Sequence, residues 1–357
     1  MDVLKNRLQT GALSLLAVTT LTACQLPYAI NSGWQQAKLY SKRVKIEKVL
    51  QDPKTDLAIR QKLQLVLEAR TFAEQELGLQ ATQNYRQYVA LDRPYVSYIV
   101  HAAPAFKLES YRWWFPIIGH VPYKGYFSKK DAEDEARSFS PREYDVFVRG
   151  VSAYSTLGWF EDPVWSSMMN YSDADLVNTV IHETVHATIF IRSQADFNER
   201  MATYLGDFGT ELFYRKKEGA QSAKLQILND EHVDQKLFSN FLTEEIAGLR
   251  KWYEDQAAHP EAAKLHEKGE RLKAIQERFN KNIKPQLKSG GYSGFGSEPL
   301  NNARLLAYGT YYEDLSDFAR LRDKLGGDFK PLLAYLRNLA SSKDPDAELK
   351  RFVSPAL

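Results

Sequence analysis

Two histidines four residues apart, His182 and His186, lie within the apolar run Leu176, Val177, Val180, Ile181, Val185 and Ile189. That periodicity requires a helix, and Ser172 followed by Asp175 has the form of a capping-box variant at its start. Residues four apart share a helical face, so both imidazoles can reach one ion. Glu183 completes an HExxH motif and is placed to address an attacking water as general base. A second segment must then return against this helix, because a catalytic zinc usually takes three protein ligands.

The segment Asp196-Phe197-Asn198-Glu199-Arg200 follows within reach. The expectation is that Ile189 to Ser193 finish the first helix and residues 194–196 turn the chain. Asp196 then caps a returning helix that carries Glu199 in its first turn. In that arrangement Glu199 is the third ligand; the open alternative is that it only partners Asp196 in a capping box. Two imidazoles and a carboxylate suit zinc, one ion per chain, and the chemistry such an ion permits is amide hydrolysis near neutral pH. His101, His120, His232, His259 and His266 lack ligand spacing, and the last three are expected on solvated helices.

The start of the chain reads as targeting rather than fold. Lys5 and Arg7 precede an uncharged apolar stretch, Gly11 to Ala23, too short for a permanent membrane span. Leu21-Thr22-Ala23-Cys24 resembles a bacterial lipobox, which implies a signal peptide over 1–23 and lipidation of Cys24. Cys24 is the one cysteine in 357 residues, so no intramolecular disulfide can form. Gln25 stands where lipoproteins kept in the inner membrane commonly carry Asp. The resemblance therefore points to the bacterial cell envelope, at the outer membrane facing the periplasm.

The rest divides into a tether and initial helix over 24–56 and a metallopeptidase domain over 57–357. Residues 57–171 are expected to hold a helix and a sheet, 172–230 the metal-binding helices, and 231–357 a helical C-terminal part. The first of these helices runs from Asp56 to about Leu77, with Gly78 as its stop. Strand signals occur at Tyr95–Val100, Pro116–Val121 and Tyr144–Val148, around a charged helix over Lys129–Ser138. Residues 240–287 form a helical hairpin broken at His259-Pro260, followed by a flexible glycine-rich loop over 289–296 and two helices, about 300–325 and 329–341. The fold class is α+β, predominantly helical. A formal net charge of +2 gives no electrostatic case for a nucleic-acid partner.

HExxH with a downstream Glu inside Asn-Glu-x-x-Ala resembles the gluzincin metallopeptidases. Several of those carry Asp three residues after the Glu, where this chain has Ala202. At a finer level the chain resembles a bacterial family of predicted zinc aminopeptidases that are mostly lipoproteins. The markers include Leu67-Glu68-Ala69-Arg70, Gly125-Tyr126-Phe127, Ala153-Tyr154-Ser155-Thr156-Leu157-Gly158-Trp159-Phe160 and Asn301-Asn302-Ala303, beside the metal motif. Many relatives place a cysteine pair around the segment that here runs from Trp114 to His120, so that disulfide is absent.

The resemblance implies a gluzincin-like fold and further roles. The segment Gly150 to Phe160 becomes a candidate edge strand for an extended peptide. Glu161 and Asp162 become candidates to hold a substrate's free amine, or else are loop charges. Tyr154 is the first candidate for an oxyanion donor, with Tyr292, Tyr308, Tyr311 and Tyr312 behind it. The implied partners are peptides or unfolded envelope proteins, and the membrane through an N-terminal lipid. Two alternatives stay open: an envelope endopeptidase, and a non-catalytic lipoprotein chaperone or assembly factor with a structural metal site.

Overall fold

The computed structural model describes residues 26–115, 119–154, 161–256, 261–309 and 315–354. The described residues open with α1 (Leu26–Tyr40), β1 (Val44–Lys45), α2 (Ile46–Gln51) and α3 (Leu57–Gln75). Asp56 caps α3 by accepting from the N–H groups of Ala58 and Ile59, and the chain leaves it through Gly78 at φ +73°. A left-handed turn of that kind is one glycine adopts without strain. The initial helix is part of the folded body rather than a spacer, since Leu39, Tyr40 and Ile46 are buried in the main core.

The β region follows: β2 (Gln87–Val89), β3 (Ser97–Pro104), β4 (Trp113–Phe115), β5 (Gly119–Val121), β6 (Lys124–Tyr126), α4 (Lys129–Ser138), β7 (Tyr144–Val151) and β8 (Val164–Trp165). The single expected sheet is instead three small ones, ordered β1-β2-β8, β6-β3-β7 and β4-β5. In the second, β3 and β7 pair antiparallel from Ser97 opposite Val151 to Pro104 opposite Tyr144, leaving β7 as an edge. The expected strand over Pro116–Val121 is shorter, because Gly119 at φ +74° opens β5; residues 116–118 lie outside the described residues.

Helices make up the remainder: α5 (Asp173–Thr188), α6 (Ala195–Glu218), α7 (Ala223–Asp255), α8 (Glu261–Arg278), α9 (Ser293–Ser297), α10 (Asn302–Gly309), α11 (Ser316–Lys324), α12 (Phe329–Leu339) and α13 (Pro345–Val353). The fold is α+β and predominantly helical. The hairpin of α7 and α8 begins earlier than expected, at Ala223. Among the described residues, no helix is long and apolar enough to cross a membrane.

Three apolar clusters hold these parts. The main one joins α3, α5 and α6 to α12 through Leu63, Val180, Ile181, Phe197, Leu205 and Leu332. A second lies inside the α7–α8 hairpin around Phe238, Phe279 and Phe295, and a third holds α4 against β3. The glycine-rich segment is pinned rather than loose. Buried Asp234 accepts from the N–H of Lys288 and of Ser289 and from the Ser289 hydroxyl, at 2.7–2.9 Å. Asn302, fully buried, ties the helical part to the sheet: its amide donates to the carbonyls of Pro104 and Ala105, and its Oδ1 accepts from Tyr253.

Candidate metal centre

Helix α5 starts where the sequence places it, with Ser172 Oγ accepting from the Asp175 N–H at 3.0 Å. Leu176, Val177, Val180, Ile181 and Val185 bury one face, and His182 and His186 project from the side that meets α6. The crossing is close because α6 carries glycine at the contacts. A Cβ on Gly206 would stand 3.3 Å from the His182 Cβ, and one on Gly209 would stand 2.9 Å from side-chain atoms of Ile181 and Leu77. A larger residue at either place would need those neighbours to shift.

The connection between the helices differs from expectation in detail. Helix α5 ends at Thr188, with Ile189 as an extended C-cap, and the cap position of α6 is Gln194, whose side chain makes no capping bond. Asp196 is therefore a first-turn residue and not the cap. Asn198 fixes the turn instead. Its Oδ1 accepts from the Ile191 N–H at 3.0 Å and its Nδ2 donates to the Ile191 carbonyl at 2.8 Å, both buried. That two-point clamp satisfies backbone groups that helix ends leave open, and it sets the position of the next residue, Glu199.

Glu199 closes the constellation. His182 Nε2 and His186 Nε2 are 3.1 Å apart; Glu199 Oε1 is 3.4 Å from the His186 nitrogen and Oε2 is 3.7 Å from that of His182. Donors at tetrahedral corners about 2.0–2.1 Å from an ion stand about 3.3–3.4 Å from one another, so these three atoms fit one face of such a site. Among the described residues, these are the three ligand-type side chains that could hold a metal.

The electrostatics favour a charged carboxylate there. Burial pushes the Glu199 carboxyl up, but hydrogen bonds and charge from both imidazoles outweigh it and hold the group far below the usual carboxylate range. Burial likewise works against a charged His182, yet Glu199, Glu183 and Asp207 together raise its pKa. Asp207 lies eight residues along α6 from Glu199. It accepts from Asn178 Nδ2 at 2.7 Å and stands 3.5 Å from His232 Nε2, and its charge adds to those of Glu199 and Glu183 at His182. His232 is thus paired, not merely solvated.

Glu183 and Glu199 open onto a cleft of about 710 Å³ whose other wall includes Tyr28, Ser97, Arg149, Gly150 and Tyr154. The edge strand β7 supplies the middle of that wall. The Val146 carbonyl turns outward to accept from Asn301 Nδ2, so Val148 and Gly150, in the same alternation, turn their N–H and C=O groups to the same edge. At Gly150 any side chain would have to displace the Tyr95 ring, since a Cβ would fall 2.3 Å from it.

Residues 27–351 match the model of a family described as "Putative aminopeptidase". The match takes in both walls of the cleft and all three candidate ligands, His182, His186 and Glu199. The chain belongs to this family. Comparison with curated proteins and with solved structures gives no match.

In this member of the aminopeptidase family the remaining expected site residues are distributed unevenly. Tyr154 reaches the cleft wall, where its ring stacks on Trp165 at 5.5 Å and meets Phe127 edge-on. Burial, with the charge of Asp162, keeps its hydroxyl protonated far above neutral pH. Of the segment Gly150 to Phe160, only Gly150 and Val151 are strand, and residues 155–160 lie outside the described residues.

Asp162 is buried and structural. It accepts from the Tyr40 hydroxyl at 2.8 Å while its N–H donates to Asn84 Oδ1, and it does not line the cleft. Glu161 is exposed and also stands outside the cleft lining. The amine-binding role expected of this pair is therefore not supported, because one acid is committed to a core hydrogen bond and the other faces solvent. Tyr292 and Tyr308 belong to the second core, Tyr292 stacked on Phe238 at 4.1 Å. Tyr311, Tyr312 and Cys24 lie outside the described residues.

Sequence reasoning missed Tyr28, Tyr85, Arg149 and Tyr171. Tyr28, Arg149 and Tyr171 line the cleft. Tyr85 is buried at φ +59°, and burial together with the charge of Glu183 raises its hydroxyl pKa. The positive φ of a bulky residue marks a constrained turn, but no local sequence pattern announces it.

Proposed function

We propose that this chain is a zinc-dependent aminopeptidase of the bacterial envelope, anchored through Cys24 and acting on peptides or unfolded proteins. One observation carries the reading: the two imidazole nitrogens and the Glu199 carboxylate converge to within 3.1–3.7 Å beside Glu183, at the floor of a cleft large enough for a peptide. Zinc bound to that triad would supply Lewis-acid activation of water and of the scissile carbonyl. His182 and His186 would hold the ion through Nε2, with both rings neutral, and Glu199 through its carboxylate. Glu183 takes the proton of the attacking water and passes it to the departing amine. The outer edge of β7 at Gly150 offers backbone groups to an extended peptide, and Tyr154 is one of the hydroxyl-bearing wall residues that would donate a hydrogen bond to the oxyanion.

An endopeptidase is the second reading, and one observation favours it. Among the described residues lining the cleft, Glu183 and Glu199 are the only carboxylates, so no acid is spare to hold a free amine. Peptides of one sequence, with a free and with an acetylated N-terminus, separate the two. Cleavage of the free form alone supports the aminopeptidase; equal cleavage of both supports the endopeptidase. In either case Glu183→Gln should lower the rate by about 10²–10⁴-fold while the metal content stays that of the parent. Unchanged activity in that variant would move the chain to a non-catalytic role with a structural metal.

A further inference from the structure

Helix α1 has two unlike faces. On the inner one, the Tyr28 hydroxyl donates to the Gly125 carbonyl at 2.6 Å, Ser32 joins Tyr28 in the cleft wall, and Leu39 and Tyr40 enter the main core. On the outer one, Pro27, Ile30, Trp34 and Ala37 recur at spacings of three, four and three residues, all exposed. That spacing draws a single stripe along the helix. Trp34 is 69 % exposed and Ile30 64 %, values at which large apolar side chains contribute almost nothing to the fold.

Two features beside the stripe say what covers it. The helix is described from Leu26, two residues after Cys24, so an acyl chain there would bring this face to the bilayer before any other part of the body. At its other end Lys38, Lys42, Lys45 and Lys48 are exposed against the single acid Glu47, with Lys42 3.7 Å from Asp92. A Trp on an apolar stripe beside a run of lysines is the pattern of a helix lying in the headgroup region of an anionic membrane.

We infer that α1 is a bilayer-contact face: the Ile30–Trp34 stripe seats in the headgroup region and its inner side forms the cleft wall. The inference rests on the lipid-anchored reading given above. It places the cleft about one helix diameter, roughly 10–12 Å, above the membrane surface, so that substrates are taken from chains lying on or emerging from the bilayer.

The test uses the mature, acylated protein reconstituted in phosphatidylcholine vesicles containing a quarter phosphatidylglycerol, with acyl chains brominated close to the headgroup. Tryptophan emission of the parent should be quenched, and Trp34→Phe should abolish that quenching while leaving peptide hydrolysis in detergent unchanged. Equal quenching in the two proteins, or none in either, would overturn the inference; a second copy of the chain covering the stripe would give the latter. The mass of the N-terminal residue reports acylation separately. Should the chain prove unacylated, the same quenching read after adding vesicles to it decides the stripe on its own, expected in the parent and lost in Trp34→Phe.

Discussion

The two walls of the cleft are built in opposite ways. The helix pair α5–α6 carries its whole constellation within eighteen residues, from His182 to Glu199, and each step between them is enforced locally. Ser172 starts the helix, the four-residue spacing aligns the imidazoles, Asn198 closes the turn, and Gly206 and Gly209 let the second helix approach. The opposing wall draws Tyr28, Ser97, Arg149 and Tyr154 from α1, β3, β7 and the segment after it, residues that meet only in the finished fold. Chemistry is thus fixed by short-range geometry and recognition by long-range packing. Substitutions on the two sides should fail differently.

The largest expected effect is on the chemical side. Glu199→Ala removes one of three donors, so zinc affinity should fall by at least about a hundredfold, more than loss of an outer partner costs. Metal content after dialysis, beside that of the parent, checks it; undiminished zinc would show that Glu199 is not a ligand. Asn198→Ala comes next, because it strands the buried N–H and C=O of Ile191. The loss should be about 2–4 kcal/mol of unfolding free energy, read by denaturant titration, together with weaker metal binding. A variant that lost stability yet kept parental zinc affinity would separate the clamp from the positioning of Glu199.

A third effect tests the sheet that backs the recognition wall. His101 on β3 stacks near Phe147 and beside Tyr123, and burial, aided by the Arg149 charge, lowers its pKa from 6.5 to about 4. A folded-state pKa below the unfolded one means that the unfolded chain takes up the proton first. The contribution is complete above pH 6.5 and is lost as pH falls from there toward 4, by at most about 3 kcal/mol. His101→Phe should flatten the fall of stability over that interval; an unchanged slope would assign it to other groups. The smallest effect is expected from Gly150→Ala, which pushes the half-exposed Tyr95 ring aside for about 1 kcal/mol. If β7 holds the substrate, KM should rise with kcat little changed; a fall in kcat alone would place the strand outside substrate binding.

This division also explains how much was legible in the sequence. The Ser172 cap, the helix it starts, the His182–His186 spacing and the α3 stop at Gly78 are local signals, and all four are found in the fold. Glu199 was reachable because six connecting residues, 189–194, leave the returning helix few places to go. The errors arise where a residue's partner is distant. Asp162 reads as a loop charge until Tyr40, more than a hundred residues earlier, is seen to bond to it. The glycine-rich run reads as flexible until Asp234 supplies its acceptors. Arg149 sits in an unremarkable alternating strand, and its place in a cleft wall depends on residues of α1, β3, α5 and α6 that come together only in the fold.

The Asn198 clamp has a consequence for the life history of the molecule. With the turn held by buried hydrogen bonds and the helices held by apolar contact, the positions of His182, His186 and Glu199 are set by protein contacts alone. A chain held in this way should keep its fold when any bound metal is stripped, unlike small domains that are unfolded until metal reaches them.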